Sequence, residues 1–189
     1  MTREVRNDMR EVLPKTTWPT ILFLGACLLQ IGCGRQEIQV LGSWPLDSLA
    51  GLVSQDEELS IDLEDSVDGG GSLHIAAKEK RVVKLFEVRN LEIENVALTY
   101  SAWLKCMSVG GNVYLEMWCR VPGRGESFSR GFETAINRSE DWTESQTLFF
   151  VDKGYQVDRV RLNLVIEDGG HVWVDDVKLT AGPYPQTVK

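Results

Sequence analysis

The side chains with most chemistry to offer gather in one stretch of this 189-residue chain, where Ala97-Leu-Thr-Tyr-Ser-Ala-Trp-Leu-Lys-Cys-Met107 and Val113-Tyr-Leu-Glu-Met-Trp-Cys-Arg-Val121 flank Gly110-Gly111. Both runs alternate with period two, the pattern of strands that bury one face. A two-residue turn at the glycines makes them a hairpin in which Val109 pairs with Asn112. That register sets Lys105 against Glu116, Trp103 against Trp118 and Ser101 against Arg120 on one face. It gathers Ala102, Leu104, Cys106, Leu115, Met117 and Cys119 on the other. An opposite-charge pair and an aromatic pair come into register together, and a one-residue slip removes both. Tryptophan faces stack on the apolar side of sugar rings while Tyr114, Glu116 and Arg120 can orient hydroxyls, so the polar face suits a glycan. The same register holds Cys106 and Cys119 too far apart for a disulfide and predicts two buried thiols.

Catalytic chemistry has less support. The only histidines are His74, in a strand, and His171, in a turn after Gly169-Gly170, with no Gly-x-Ser-x-Gly elbow and no transition-metal spacing. Acidic residues number 28, so carboxyl pairs at glycosidase separation are available everywhere and select nothing. A lyase using Tyr114 with Arg120 is the sharpest enzymatic alternative. Asp68-Gly-Gly-Gly71-Ser72 leads into a strand and lacks the phosphate-loop lysine, which argues against nucleotide binding.

These residues need a β framework, and the chain supplies one. Alternating runs also cover Leu59–Leu63, Ser72–Ala77, Val82–Val88, Thr147–Val151, Val157–Ile166 and His171–Thr180, and only Leu46–Ser54 suits a short helical turn. Gly-rich turns at 68–71, 110–111 and 168–170 separate them. Eight strands over about 150 residues predict an all-β fold, a two-sheet antiparallel β-sandwich.

The N-terminal segment reads differently. Trp18 to Gly34 carries no charge and follows Arg10 and Lys15, which is the pattern of an export signal and shorter than the roughly 20 apolar residues of a membrane span. Met1 and Met9 are alternative starts. Ile31-Gly32-Cys33 resembles the lipobox of bacterial lipoproteins, with Gln30 where leucine is usual; Leu24-Gly25-Ala26-Cys27 is the rival match. Lipidation at Cys33, or at Cys27, implies an extracytoplasmic protein anchored to a membrane at its N-terminus, in the periplasm or at the cell surface. The expected organisation is a signal peptide over 1–32, a tether and N-terminal segment over 33–56, the sandwich over 57–180 and a tail over 181–189. A net charge of −8 disfavours nucleic acid as a partner, and the lack of heptads predicts a monomer.

The order of motifs carries a family resemblance. Ser66-Val-Asp-Gly-Gly-Gly-Ser-Leu-His-Ile75, Leu98-Thr-Tyr-Ser-Ala-Trp-Leu104, Asp141-Trp142-Thr143, Val160-Arg-Leu-Asn-Leu164 and Gly170-His-Val-Trp-Val-Asp-Asp-Val-Lys-Leu179 together resemble the galactose-binding-like jelly rolls, which include many β-sandwich carbohydrate-binding modules. The resemblance implies a jelly roll with glycan binding on a concave face. It also implies that Val157–Ile166 lies beside the hairpin, adding Arg159, Arg161 and Asn163 to the polar face. It further implies a structural Ca²⁺ at Asp175 or Asp176: with Trp173, Val177 and Leu179 directed inward, Asp175 is too, and a buried carboxylate needs a partner, a cation or backbone N–H groups. The expected function is a non-catalytic carbohydrate-binding lipoprotein module taking a neutral or weakly charged glycan across Trp103, Trp118, Tyr114, Glu116, Arg120, Arg161 and Asn163. A structural or protein-interaction envelope domain is the alternative, with a polysaccharide-degrading enzyme behind it.

Overall fold

Alternation of apolar and polar residues builds ten strands in the computed structural model, which describes residues 37–138 and 141–184. The expected signal peptide, the starts at Met1 and Met9, Cys27, Cys33 and the residues beyond Tyr184 lie outside the described residues. The strands are β1 (Gln39–Trp44), β2 (Leu59–Asp62), β3 (Ser72–Ala77), β4 (Arg81–Ile93), β5 (Val96–Met107), β6 (Val113–Val121), β7 (Gly125–Arg130), β8 (Thr143–Val151), β9 (Val157–Ile166) and β10 (Gly170–Gly182). The one helical element among the described residues is a 3₁₀ turn at Phe132–Thr134; Leu46–Ser54 makes turns and no helix.

The strands form two antiparallel sheets packed face to face. One runs β2-β3-β10-β5-β8, with β1 on the second half of β10; the other runs β4-β9-β6-β7. Leu98, Tyr100, Ala102, Leu104 and Cys106 of β5 meet Leu115, Met117 and Cys119 of β6 and Val160, Leu162, Leu164 and Ile166 of β9 in a single core. The fold is the expected two-sheet β-sandwich. Within the N-terminal segment, residues 39–44 pair with β10 and add a strand ahead of residue 57.

The expected hairpin does not form. β5 has β10 and β8 on its two edges, β6 has β9 and β7, and the chain crosses between sheets at Ser108–Asn112. Gly110-Gly111 serves close packing of two loops. A Cβ on Gly110 would collide with the Asp168 carboxylate, and one on Gly111 would lie 2.9 Å from Glu167. Asn112 and Glu167 fasten the two loops through backbone and side-chain hydrogen bonds of 3.0–3.2 Å. The inward and outward residue sets survive, because each strand keeps its own alternation. The partners do not: Lys105 and Glu116, Trp103 and Trp118, and Ser101 and Arg120 stand in different sheets. Cys106 and Cys119 are both buried and unbridged, and burial pushes the Cys119 thiol up to about 12.

A bulge in β10 gives a second correction. Its register against β5 shifts between Asp175 and Lys178, with Asp176 in the left-handed region at φ 47°. Val172, Val174, Val177 and Leu179 therefore all reach the core, while Trp173 and Asp175 turn to the outer side, opposite Lys105 and Trp103.

A candidate binding platform on the four-stranded sheet

The outer face of β4-β9-β6-β7 is built in rows across the strands. Lys84, Asn163, Glu116 and Arg130 form one row, Glu87, Arg161, Trp118 and Phe128 the next, and Arg89, Arg159, Arg120 and Glu126 the third. Tyr114 lies beyond the first row, beside Val165. Six of the seven expected ligand residues, Tyr114, Glu116, Trp118, Arg120, Arg161 and Asn163, thus share one face. Trp103 does not join them. It lies between Asp175 and Glu144 on the outer face of the other sheet, so the two tryptophans point away from each other across the sandwich.

Glu116 is the hub of the platform. It is 5% exposed and accepts hydrogen bonds from Trp118 Nε1 at 2.7 Å, Arg130 Nε at 2.7 Å and Asn163 Nδ2 at 3.2 Å. Burial pushes its carboxyl up, but these donors outweigh burial and hold it below the ordinary glutamate value. The result is that Trp118 is fixed in orientation, its ring 4.9 Å from Phe128 and 5.6 Å from the Arg161 guanidinium. Phe128 itself is 47% exposed, with the Arg130 guanidinium 4.5 Å from its ring. Arg120 grips Asp158 with two hydrogen bonds of 2.8 and 2.5 Å, which holds that carboxyl below its ordinary value. A pocket of about 100 Å³ opens beside Arg161 and Asn163, closed by Val53, Lys84, Phe86 and Glu87. Asn163 Oδ1 is buried and finds no protein donor there.

Tyr114 and Arg120 are six residues apart on one strand, about 20 Å at the rise of a β-strand. Tyr114 is 5% exposed and packs on Phe132 at 4.6 Å, and burial raises its hydroxyl pKa. The pair expected for a lyase therefore does not converge.

Edge strand β7 supplies Phe128, Glu126 and Arg130, none of which the sequence assigned to the site. The signal was present in the alternation of Glu126, Phe128 and Arg130 with Ser127 and Ser129, but serine gives no apolar face to mark a strand. The histidines also form an unexpected group. His74 Nε2 and His171 Nδ1 are 3.0 Å apart on the outer face of the six-stranded sheet, with Trp173 stacked 4.6 Å from His74.

At the β10 bulge, Asp175 is fully buried. Both its oxygens accept backbone N–H groups, from Val67 at 2.7 Å and Asp176 at 2.7 Å, and Asp176 pairs with Lys178. Burial raises the Asp175 carboxyl. Ca²⁺ takes six to eight oxygens, and among the described residues no three His, Cys, Asp or Glu side chains are placed to hold a metal ion.

No protein-family model and no curated protein matches the sequence. Solved structures do match. The CBM22-1 xylan-binding domain of Paenibacillus barcinonensis Xyn10C aligns at TM-score 0.56 and 11% identity, over 78% of this chain and 97% of that domain. The fold is that of β-sandwich carbohydrate-binding modules. The tandem CBM22-1-CBM22-2 domain of the same xylanase aligns at TM-score 0.58 and 12% identity, covering 79% of this chain and 47% of that one. A Stig cyclase, Fisc from Fischerella sp. TAU, solved with a pyrrolidinylidene-indole, aligns at TM-score 0.50 and 12% identity over 79% of this chain and 90% of its own. The fold expected from the order of motifs is therefore shared with binding modules and with at least one enzyme.

Proposed function

We propose that this chain is a non-catalytic glycan-binding module whose platform is the outer face of the four-stranded sheet, carried outside the cytoplasm on a lipid anchor at Cys33. One observation carries the binding reading: Trp118, locked by Glu116, and the exposed Phe128 form an aromatic step beside Arg161, Asn163 and a pocket large enough for a sugar substituent. Aromatic rings offer stacking area at low entropic cost, and the flanking side chains supply hydrogen bonds that fix a ring in place. An open platform gains little buried area, so binding per site is weak. The xylan-binding neighbour supports the substrate class through its fold alone. The test is a panel of neutral and acidic oligosaccharides against the wild-type chain, Trp118→Ala, Phe128→Ala and Trp103→Ala. Trp118→Ala and Phe128→Ala lose binding with the fold intact, and Trp103→Ala keeps it; loss with Trp103→Ala alone removes the platform.

A structural or protein-interaction role is the second reading, and one observation favours it. The charged groups of the face are largely paired among themselves, Arg130 with Glu116, Arg120 with Asp158, and Arg159 and Arg161 with Glu126. A folded chain that binds no sugar on the panel gives this reading first place.

A further inference from the structure

The third row of the platform breaks a rule of sheet construction. Like charges directly opposite one another destabilise neighbouring strands, yet Arg89, Arg159 and Arg120 stand side by side on β4, β9 and β6. Arg161 joins them from the adjoining row, in a chain with 28 acidic and 20 basic residues. The four guanidinium groups share three carboxylates. Glu87 takes Arg89, Asp158 takes Arg120, and Glu126 is divided between Arg159 at 2.6 Å and Arg161 at 2.7 Å. The Nε atoms of Arg159 and Arg161 are buried with no acceptor, an added cost with no return in folding. A local rule broken without a gain in stability marks a functional surface.

Resting on the glycan-binding reading, we propose that the ligand is a sugar bearing a carboxylate, a uronate, whose acid group supplies the fourth carboxylate at Arg159 and Arg161 while its ring lies against Trp118 and Phe128. The planar guanidinium fork matches a carboxylate and donates only, so it favours an oxyanion over a neutral hydroxyl. Arg161 belongs to both halves of this arrangement, lying over the Trp118 ring and bonding Glu126. The expected preference for neutral or weakly charged glycans follows from a net charge of −8, which repels anionic glycans unless Arg120, Arg159 and Arg161 make a local positive patch. The arginine row is a local exception to that charge, and local charge governs a contact within a Debye length.

The experiment measures affinity of the full chain for two matched pairs: hexagalacturonate with its methyl ester, and a glucuronate-substituted xylohexaose with plain xylohexaose. The acid of each pair binds roughly tenfold tighter, and the difference shrinks near 1 M salt, where the Debye length is about 3 Å. Arg159→Gln combined with Arg161→Gln brings acid and ester level, while Trp118→Ala weakens both. Equal affinity of the wild-type chain for acid and ester overturns the uronate and leaves glycan binding standing. Binding of none of the four overturns glycan binding itself. Dextran sulfate bound as tightly as hexagalacturonate identifies general attraction to polyanions and also overturns the uronate.

Discussion

Glu116 shows how a single buried carboxylate can organise a surface. Removing it leaves Trp118 Nε1 and Asn163 Nδ2 without their acceptor and frees Arg130, so Glu116→Ala costs about 2–3 kcal/mol of stability, measured by denaturant unfolding. Because its folded pKa lies below the ordinary value, its contribution is complete above the unfolded glutamate pKa of about 4.3 and disappears as the pH falls through the folded value. Stability therefore declines on acidification through this range, and Glu116→Gln shows a shallower decline in melting temperature; an unchanged acid profile contradicts the hub. His74 acts in the same direction at higher pH. Burial and His171 lower its pKa, so the folded state takes up fewer protons than the unfolded chain and loses stability as the pH drops through the range near 6.5.

At the level of elements, turns explain most of what sequence could and could not give. The inward sets of β5, β6 and β9 were legible because parity depends only on each strand's own alternation. The pairing of β5 with β6 was misread because a Gly-Gly pair looks alike whether it makes a tight hairpin or lets two loops touch. Gly170 shows the second use. It has φ +145°, and a Cβ there would lie 2.7 Å from the Ser108 carbonyl oxygen and 2.8 Å from the Val109 Cα. Gly170→Ala therefore costs about 3 kcal/mol, whereas Gly123→Ala, at φ +78° with open space around it, costs about 1 kcal/mol. Thermal melting of the two variants checks the contrast. The β10 bulge was invisible for a related reason, since Asp175-Asp176 alternates as well as any strand until Asp176 adopts a left-handed conformation. With Asp175 satisfied by two backbone N–H groups, EDTA is expected to leave the melting temperature unchanged; a clear fall supports the calcium implied by the family resemblance. Strands β1 and β7 escaped notice as edge strands with little apolar alternation.

For the whole molecule, the layered fold separates two surfaces that sequence had merged. Trp103 belongs with Asp175 and Glu144 on one side, and Trp118 with Phe128 and the arginines on the other, about a sandwich thickness of 10 Å or more apart. Anchorage outside the cytoplasm is tested by mass spectrometry of the mature N-terminal peptide, which carries lipid on Cys33; lipid on Cys27 moves the site, and an unmodified start elsewhere removes the anchor. The platform is tested most directly by nuclear magnetic resonance of the chain from Cys33 onward, whose five tryptophans each give an indole N–H signal assignable by substitution. On titration with hexagalacturonate and with xylohexaose, the Trp118 indole and the amides of Phe128 and Arg161 shift in a saturable way while the Trp103 indole stays still. Shifts confined to Trp103 and its neighbours, or none with any sugar, contradict the platform.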